Sequence, residues 1–255
     1  MNFTDTHCHI HEESYLESEQ ALLRAHGAGI KRLICVGTDE KSSRQAVEFA
    51  NQHDNVWASV GLHPHDATSG LEAIKELEEL LKADKQGKIV AIGECGLDYF
   101  YENSPRDKQI PMLEAQLELA QSYNKPVIFH VREAFEDFWP IFERFEGIRG
   151  VLHSFTDNMS NMRRGTPKGL YVGINGISTF TKDEKQKQMF TDIPLEKTLL
   201  ETDAPFLTPA PLRGRVNEPA FITHVAQNLA NLQAINLEEL SRATERNATK
   251  LFFSN

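Results

Sequence analysis

At 255 residues the chain is long enough to bury one large core, and its net charge of −10 excludes a generally basic nucleic-acid-binding surface, so any positive charge meeting a nucleic acid must be local. Hydrophobic residues make up 40% and charged residues 25%, ordinary for a globular protein; no apolar run is long enough to span a bilayer. Cys8, Cys35 and Cys95 form no CxxC pair, which excludes a disulfide framework and a zinc ribbon.

Asp5 and three histidines occupy the place where a signal peptide needs a basic and an apolar region, so the expectation is a cytoplasmic protein without a membrane partner. Short apolar runs rich in β-branched residues then recur about every thirty residues, the size of a βα unit: NFTDTHCHI, IKRLICVG, NVWASVGLH, KIVAIGE, PVIFH, GVLHSF, GLYVGI and KTLLETD. Segments with helical spacing lie between them, from SEQALLRAHGAG to EKQKQMFTD, and two more, EPAFITHVAQNLANLQ and NLEELSRATERNATKLFF, close the chain. Without a linker or a composition break, this pattern predicts a single α/β domain over residues 1–255, a (β/α)8 TIM barrel with C-terminal helices. The competing open doubly wound sheet would place a glycine-rich phosphate loop after its first strand. Here HCHIHEE stands in that place, and neither GxGxxG nor GxxxxGK[ST] occurs.

Side chains alternate faces along a strand, so Phe3, Asp5, His7 and His9 share one face while Thr4, Thr6, Cys8 and Ile10 share the other. In a barrel the first set faces inward, and functional groups gather at the C-terminal strand ends. His7 and His9 can therefore chelate together, Cys8 turns to the helix layer as a small apolar side chain, and His11 falls in the following loop. A lone histidine is most often a surface or hydrogen-bonded core residue; the other strand ends decide otherwise here. The fourth run ends at Glu94, the fifth at His130, the sixth at His153, and the eighth runs into Asp203. Leaving so many buried polar groups without partners would cost about 1 to 3 kcal/mol each. Such a set suits two divalent ions sharing a carboxylate, and imidazole and carboxylate without thiolate fits Zn²⁺, Mn²⁺ or Mg²⁺. Two loops add candidates. His63 and His65 in GLHPH are substrate contacts or merely solvated loop histidines, and Arg132, Arg213 and Arg215 are phosphate-gripping forks or solvent-exposed charge.

DTHCHI, GLHPH, IGECGLDY, PVIFHVREAF, LHSF, GIN, LLETDAP and RGRVNEP, followed by NATKLF, resemble the TatD family of metal-dependent deoxyribonucleases, in the family's order and over nearly the whole chain. The resemblance implies a TIM-barrel hydrolase of the amidohydrolase-like superfamily that cleaves DNA phosphodiester bonds. It implies that His7, His9 and Asp203 hold one divalent ion, His130 and His153 the other, and that Glu94 bridges. Glu94 and Asp203 are then the catalytic carboxylates, with Asp203 also orienting or deprotonating the water. The expected activity is a 3′ to 5′ exonuclease on single-stranded DNA. The alternatives are a bimetal hydrolase of a small amide, lactone or phosphate ester and, last, a metal-binding scaffold with vestigial activity. Tyr99, Phe100 and Phe206 beside the motifs are candidates for stacking bases, against an ordinary packing role. One departure matters: the family's sixth-strand motif continues His-x-Phe-x-Gly, whereas Asp157 stands here in the glycine's place. A glycine there permits a positive φ or a close backbone approach; Asp157 removes some of that freedom and adds negative charge near the phosphate path, while the left-handed conformation stays open to Asp157 or Asn158.

Overall fold

The computed structural model describes residues 1–101 and 103–254. Eight strands, β1 (Phe3–Cys8), β2 (Ile30–Val36), β3 (Val56–Val60), β4 (Ile89–Asp98), β5 (Val127–Arg132), β6 (Gly150–Leu152), β7 (Leu170–Ile174) and β8 (Thr198–Leu200), form one sheet in sequence order. β3 to β6 pair in parallel, as do β7 and β8. A parallel bridge between Cys8 and Ala204 then sets β1 beside the segment leaving β8. A parallel sheet whose first and last strands meet is the (β/α)8 topology expected from the alternation of runs. The helices are α1 (Ser18–Gly27), α2 (Glu40–Gln52), α3 (Leu71–Ala83), α4 (Arg106–Ser122), α5 (Phe135–Phe142), α6 (Met159–Gly165), α7 (Ile177–Phe180), α8 (Glu184–Asp192), α9 (Ile222–Leu232) and α10 (Leu237–Ala248). No helix among the described residues is long and apolar enough to cross a membrane.

The chain separates into two compact units, Met1–Ile34 with Ser154–Asn255, and Cys35–His153. In the first, α10 lies against β1 and β8. Thr4 donates to Glu245 Oε1 at 2.6 Å, Arg32 donates to Glu245 Oε2 at 3.0 Å, and Asn247 donates to the carbonyls of Leu195 and Thr198 at 2.8 Å. Thr4 thus points at the helix layer, which sends Asp5 and His7 to the opposite face. Asn236 caps α10 by accepting from Glu239 N–H, as its position before a helical run requires.

In the second unit, two buried glutamines of α4 fix the strand ends. Gln116 accepts from Leu62 N–H at 2.7 Å and donates to Leu62 O at 3.0 Å; Gln109 does the same for Asp98 at 2.8 and 2.9 Å. Each side-chain amide stands in for a missing neighbouring strand, so the loops after β3 and β4 start from held points. Beneath them Phe129 packs edge-on against Phe138 of α5 at 5.1 Å, and burying such a ring stabilises by about 1.5 to 3 kcal/mol.

β4 runs four residues beyond the expected end at Glu94, because its glycines are sites of close approach rather than breaks. A Cβ on Gly96 would collide with the carbonyl of His130 on β5, its partner in the register, and Gly96 has φ +155°.

Candidate metal centre

Within the first unit, β1 delivers His7 and the residue after it delivers His9, and their Nε2 atoms stand 3.1 Å apart. The segment after β8 brings Asp203 to them, its Oδ1 lying 3.6 Å from His7 Nε2 and 3.5 Å from His9 Nε2. Two backbone bonds set this meeting: Asp203 N–H donates to His7 O at 2.9 Å and His9 N–H to Ala204 O at 2.7 Å. Asp203 itself has φ +59°, a left-handed conformation that a short polar residue tolerates better than a branched one. Cys8 is turned away, with its Sγ on the carbonyl of Ile34 at 3.6 Å, as strand alternation predicts. His11 is buried with its ring 6.2 Å from that of His9 and takes no place in the triad.

Within the second unit, Glu94 Oε1 is approached by three imidazoles: His130 Nδ1 at 2.8 Å, His63 Nε2 at 3.6 Å and His153 Nε2 at 3.7 Å. The other face of His130 meets Asp98, Nε2 to Oδ2 at 2.9 Å, and His65 Nε2 reaches the same oxygen at 3.0 Å. Burial depresses the pKa of His63 to about 3, so its ring is neutral; its Nδ1 accepts from His65 N–H, which leaves the ring proton on Nε2, toward Glu94. Burial also acts to lower His130, but its hydrogen bonds to Asp98 and Glu94 outweigh it and hold the pKa above the ordinary imidazole value. Asp98 responds in the opposite sense: burial favours its neutral form, yet the bond to His130 and the N–H of Tyr101 hold its carboxyl well below the usual range.

These donors fit divalent ions. Separations of 3.5 to 3.7 Å between imidazole nitrogen and carboxylate oxygen exceed a direct hydrogen bond. They match the edges of a ligand shell of roughly 2.0 to 2.2 Å radius. One nitrogen each of His63 and His130 and one oxygen of Glu94 lie within 4.8 Å of one another. Sequence reasoning placed His63 with the substrate contacts; it stands as near to Glu94 as His153 does. Asp98 was missed altogether.

The family described as TatD related DNase matches residues 4–253. The chain belongs to the TatD-related DNase family. Among its relatives is an uncharacterized metal-dependent hydrolase, YabD, of Bacillus subtilis, 36% identical over 97% of this chain and 98% of that protein. Another is a Shigella flexneri protein named 3′-5′ ssDNA/RNA exonuclease TatD, 35% identical over 92% of this chain and 93% of that one. The crystal structure of the TatD homologue YjjV from Escherichia coli is 29% identical, covers 99% of this chain and 98% of its own, and superposes with a TM-score of 0.93. This TatD-family chain is accordingly a metal-dependent hydrolase acting on ester bonds, built on the TIM-barrel fold.

The three candidate arginines sit in different surroundings. Arg132 lies with its guanidinium 3.9 Å from the Phe100 ring centre and 4.7 Å from that of Tyr101. Arg213 donates to Thr208 O at 2.8 Å and covers Phe180 at 4.0 Å, while Arg215 is exposed. Of the aromatic candidates, Tyr99 is an anchor, its hydroxyl donating to Asp137 at 2.8 Å and one face covered by Arg106. Phe206 is exposed, with its ring 6.3 Å from that of His9.

Neither Asp157 nor Asn158 takes the left-handed conformation open to them. Asn158 has φ −101° and caps α6 through Asn161 N–H, and Asp157 is not among the residues with positive φ; its Oδ1 accepts from Asn158 N–H and Asn161 Nδ2. The left-handed position is Ser154, at φ +47°, directly after His153. Its N–H donates to Glu201 Oε1 at 2.6 Å, and Gly173 in the GIN stretch leaves the room that this carboxylate fills.

Proposed function

We propose that this TatD-family hydrolase is a 3′ to 5′ exonuclease on single-stranded DNA, working as one domain over residues 1–255 with two divalent ions, Mg²⁺, Mn²⁺ or Zn²⁺. The observation that carries the reading is the clustering of three imidazoles round the single oxygen Glu94 Oε1. An active site that only packed its histidines would not converge them on one carboxylate. The named activity of the Shigella flexneri relative supports the substrate; YabD, of similar identity, carries no assigned substrate.

In this reading His7, His9 and Asp203 hold one ion, His130 and His153 hold the other, and Glu94 serves both. Bound there, the ions supply acidity to a water and neutralise charge on a phosphodiester. The chain's own groups do the rest. Asp203, set by its left-handed backbone, orients the attacking water and is positioned to take its proton. Asp98 keeps the proton of His130 on Nε2, so that Nδ1 faces Glu94. His65, Arg132, Arg213 and Arg215 are the candidates for holding phosphate, with His63 at the boundary between ligand and substrate contact.

The test is cleavage of single-stranded DNA labelled at the 3′ or the 5′ end, with each metal added to chelator-treated protein. Stepwise loss of the 3′ label, abolished in Glu94→Ala and Asp203→Ala, is the expected result. Turnover of an amide or lactone far faster than DNA would replace the reading with that of a small-molecule hydrolase.

A further inference from the structure

After β4, Phe100, Tyr101 and Ser104 are each held by hydrogen bonds. Asp98 Oδ1 accepts from the N–H groups of Phe100 and Tyr101 at 2.9 and 3.0 Å. Gln109 donates to Ser104 O at 2.8 Å as well as to Asp98 O, and Ser104 donates to His65 O at 2.6 Å. Despite this order, Phe100 and Tyr101 are 48% and 47% exposed. Their rings meet edge to face at 4.7 Å, and Arg132 lies over both.

The two neighbouring aromatics thus keep about half of their surface open to solvent on a backbone held by hydrogen bonds. They are also tied to the cluster round Glu94. The ring of Tyr101 is 5.6 Å from that of His65, and the carboxylate holding their backbone also bonds His65 and His130 through its second oxygen. An aromatic face carrying a guanidinium suits a nucleotide, because the ring stacks on a base of any sequence and the cation meets the flanking phosphate. In a chain of net charge −10 this supplies the local positive charge that a nucleic acid needs.

We infer that Phe100, Tyr101 and Arg132 form a nucleobase-stacking subsite for the strand beside the Glu94 cluster, the rings taking one base and Arg132 its phosphate, with Asp98 fixing the subsite's distance from His130. The inference rests on the single-strand nuclease reading and adds a base-contacting element to it.

The experiment compares intact single-stranded oligodeoxynucleotides with ones carrying an abasic nucleotide at each of the last four 3′ positions. Two measurements are made: KM for cleavage by metal-loaded protein, and Kd by fluorescence anisotropy with the chelator-treated protein. In the wild type, removing the base at one position should raise KM and Kd roughly tenfold to a hundredfold. In Phe100→Ala/Tyr101→Ala the intact and abasic strands should become equivalent, and Phe100→Trp should restore the discrimination. Arg132→Gln should weaken binding of both strands alike and flatten the salt dependence. If the wild type treats intact and abasic strands equally at every position, or the double variant still distinguishes them, the subsite is overturned. If no oligonucleotide is cleaved with any metal, the nuclease reading fails, and the anisotropy comparison still decides the subsite.

Discussion

Asp98 Oδ2 stands 2.9 Å from His130 Nε2, while Nδ1 of the same ring faces Glu94 at 2.8 Å. One imidazole thus lies between two carboxylates, Glu94 on its Nδ1 side and Asp98 on its Nε2 side. A carboxylate behind a ligating histidine fixes the tautomer and raises the basicity of the free nitrogen. Asp98→Asn should weaken metal binding by about tenfold to a hundredfold. An amide nitrogen facing Nε2 would push the ring proton onto Nδ1 and block the very atom that faces Glu94. Metal titration calorimetry checks it, and an affinity equal to wild type would show that Asp98 serves only the backbone of Phe100 and Tyr101.

His63 carries a second prediction, because its Nε2 lies 3.6 Å from Glu94 Oε1 against 3.7 Å for His153. If distance governs, His63→Ala should lower kcat about as much as His153→Ala, by a factor of roughly 10² or more, with the loss appearing in metal occupancy. A substrate contact would instead raise KM at unchanged occupancy. Elemental analysis beside steady-state kinetics separates the two.

Strand alternation is what made half of this site legible. It paired His7 with His9 and turned Cys8 away, and it needed only the alternation of β1 carried one residue beyond its end. The ends of the fifth, sixth and eighth runs supplied His130, His153 and Asp203 in the same way. Asp98 is not legible in this way because the apolar run ends at Glu94, whereas β4 continues to Asp98. The sequence CGLD after Glu94 held the signal, a buried acid two residues beyond a glycine that need not end a strand. The place of His63 beside Glu94 is hidden in the sequence for a different reason. It lies in a loop, where no periodicity assigns a face, and its direction is set by a backbone bond from its N–H to Thr38 O at 2.7 Å. Ser154 was illegible as the left-handed residue because serine carries no strong preference for that region.

Gly96 yields the third prediction. Its φ of +155° and the His130 carbonyl standing where its Cβ would lie leave no room for a side chain, and the obstacle is backbone rather than a flexible tip. Gly96→Ala should destabilise the protein by about 2 to 4 kcal/mol, through strain and displacement of β5. Because His130 sits on the displaced strand, metal affinity should fall as well. Urea unfolding of the metal-free protein isolates the first effect, and a midpoint within error of wild type would contradict the close approach.

Asp5 gives a prediction in pH. Fully buried on β1, it is pushed up to about 7 by loss of solvation, against the opposing hydrogen bonds from the side chain and backbone of Thr202 and the backbone of His7. Between an unfolded value near 3.8 and a folded value near 7, the folded state binds the additional proton. Stability from this group is therefore complete below about pH 4 and is lost as pH rises through 7. Asp5→Asn keeps the shape. Its oxygen can accept from Thr202 N–H and His7 N–H as Oδ1 does at 2.9 and 3.3 Å, and its amide can donate to Thr202 Oγ1, which lies 2.5 Å from Oδ2. Since the amide never ionises, the variant should gain on wild type by roughly 2 to 3 kcal/mol between pH 5 and pH 8. Urea titrations of both proteins, with chelator present, measure that difference directly. A constant gap across the range would mean that Asp5 is ionised at both ends, held so by Thr202 against the burial.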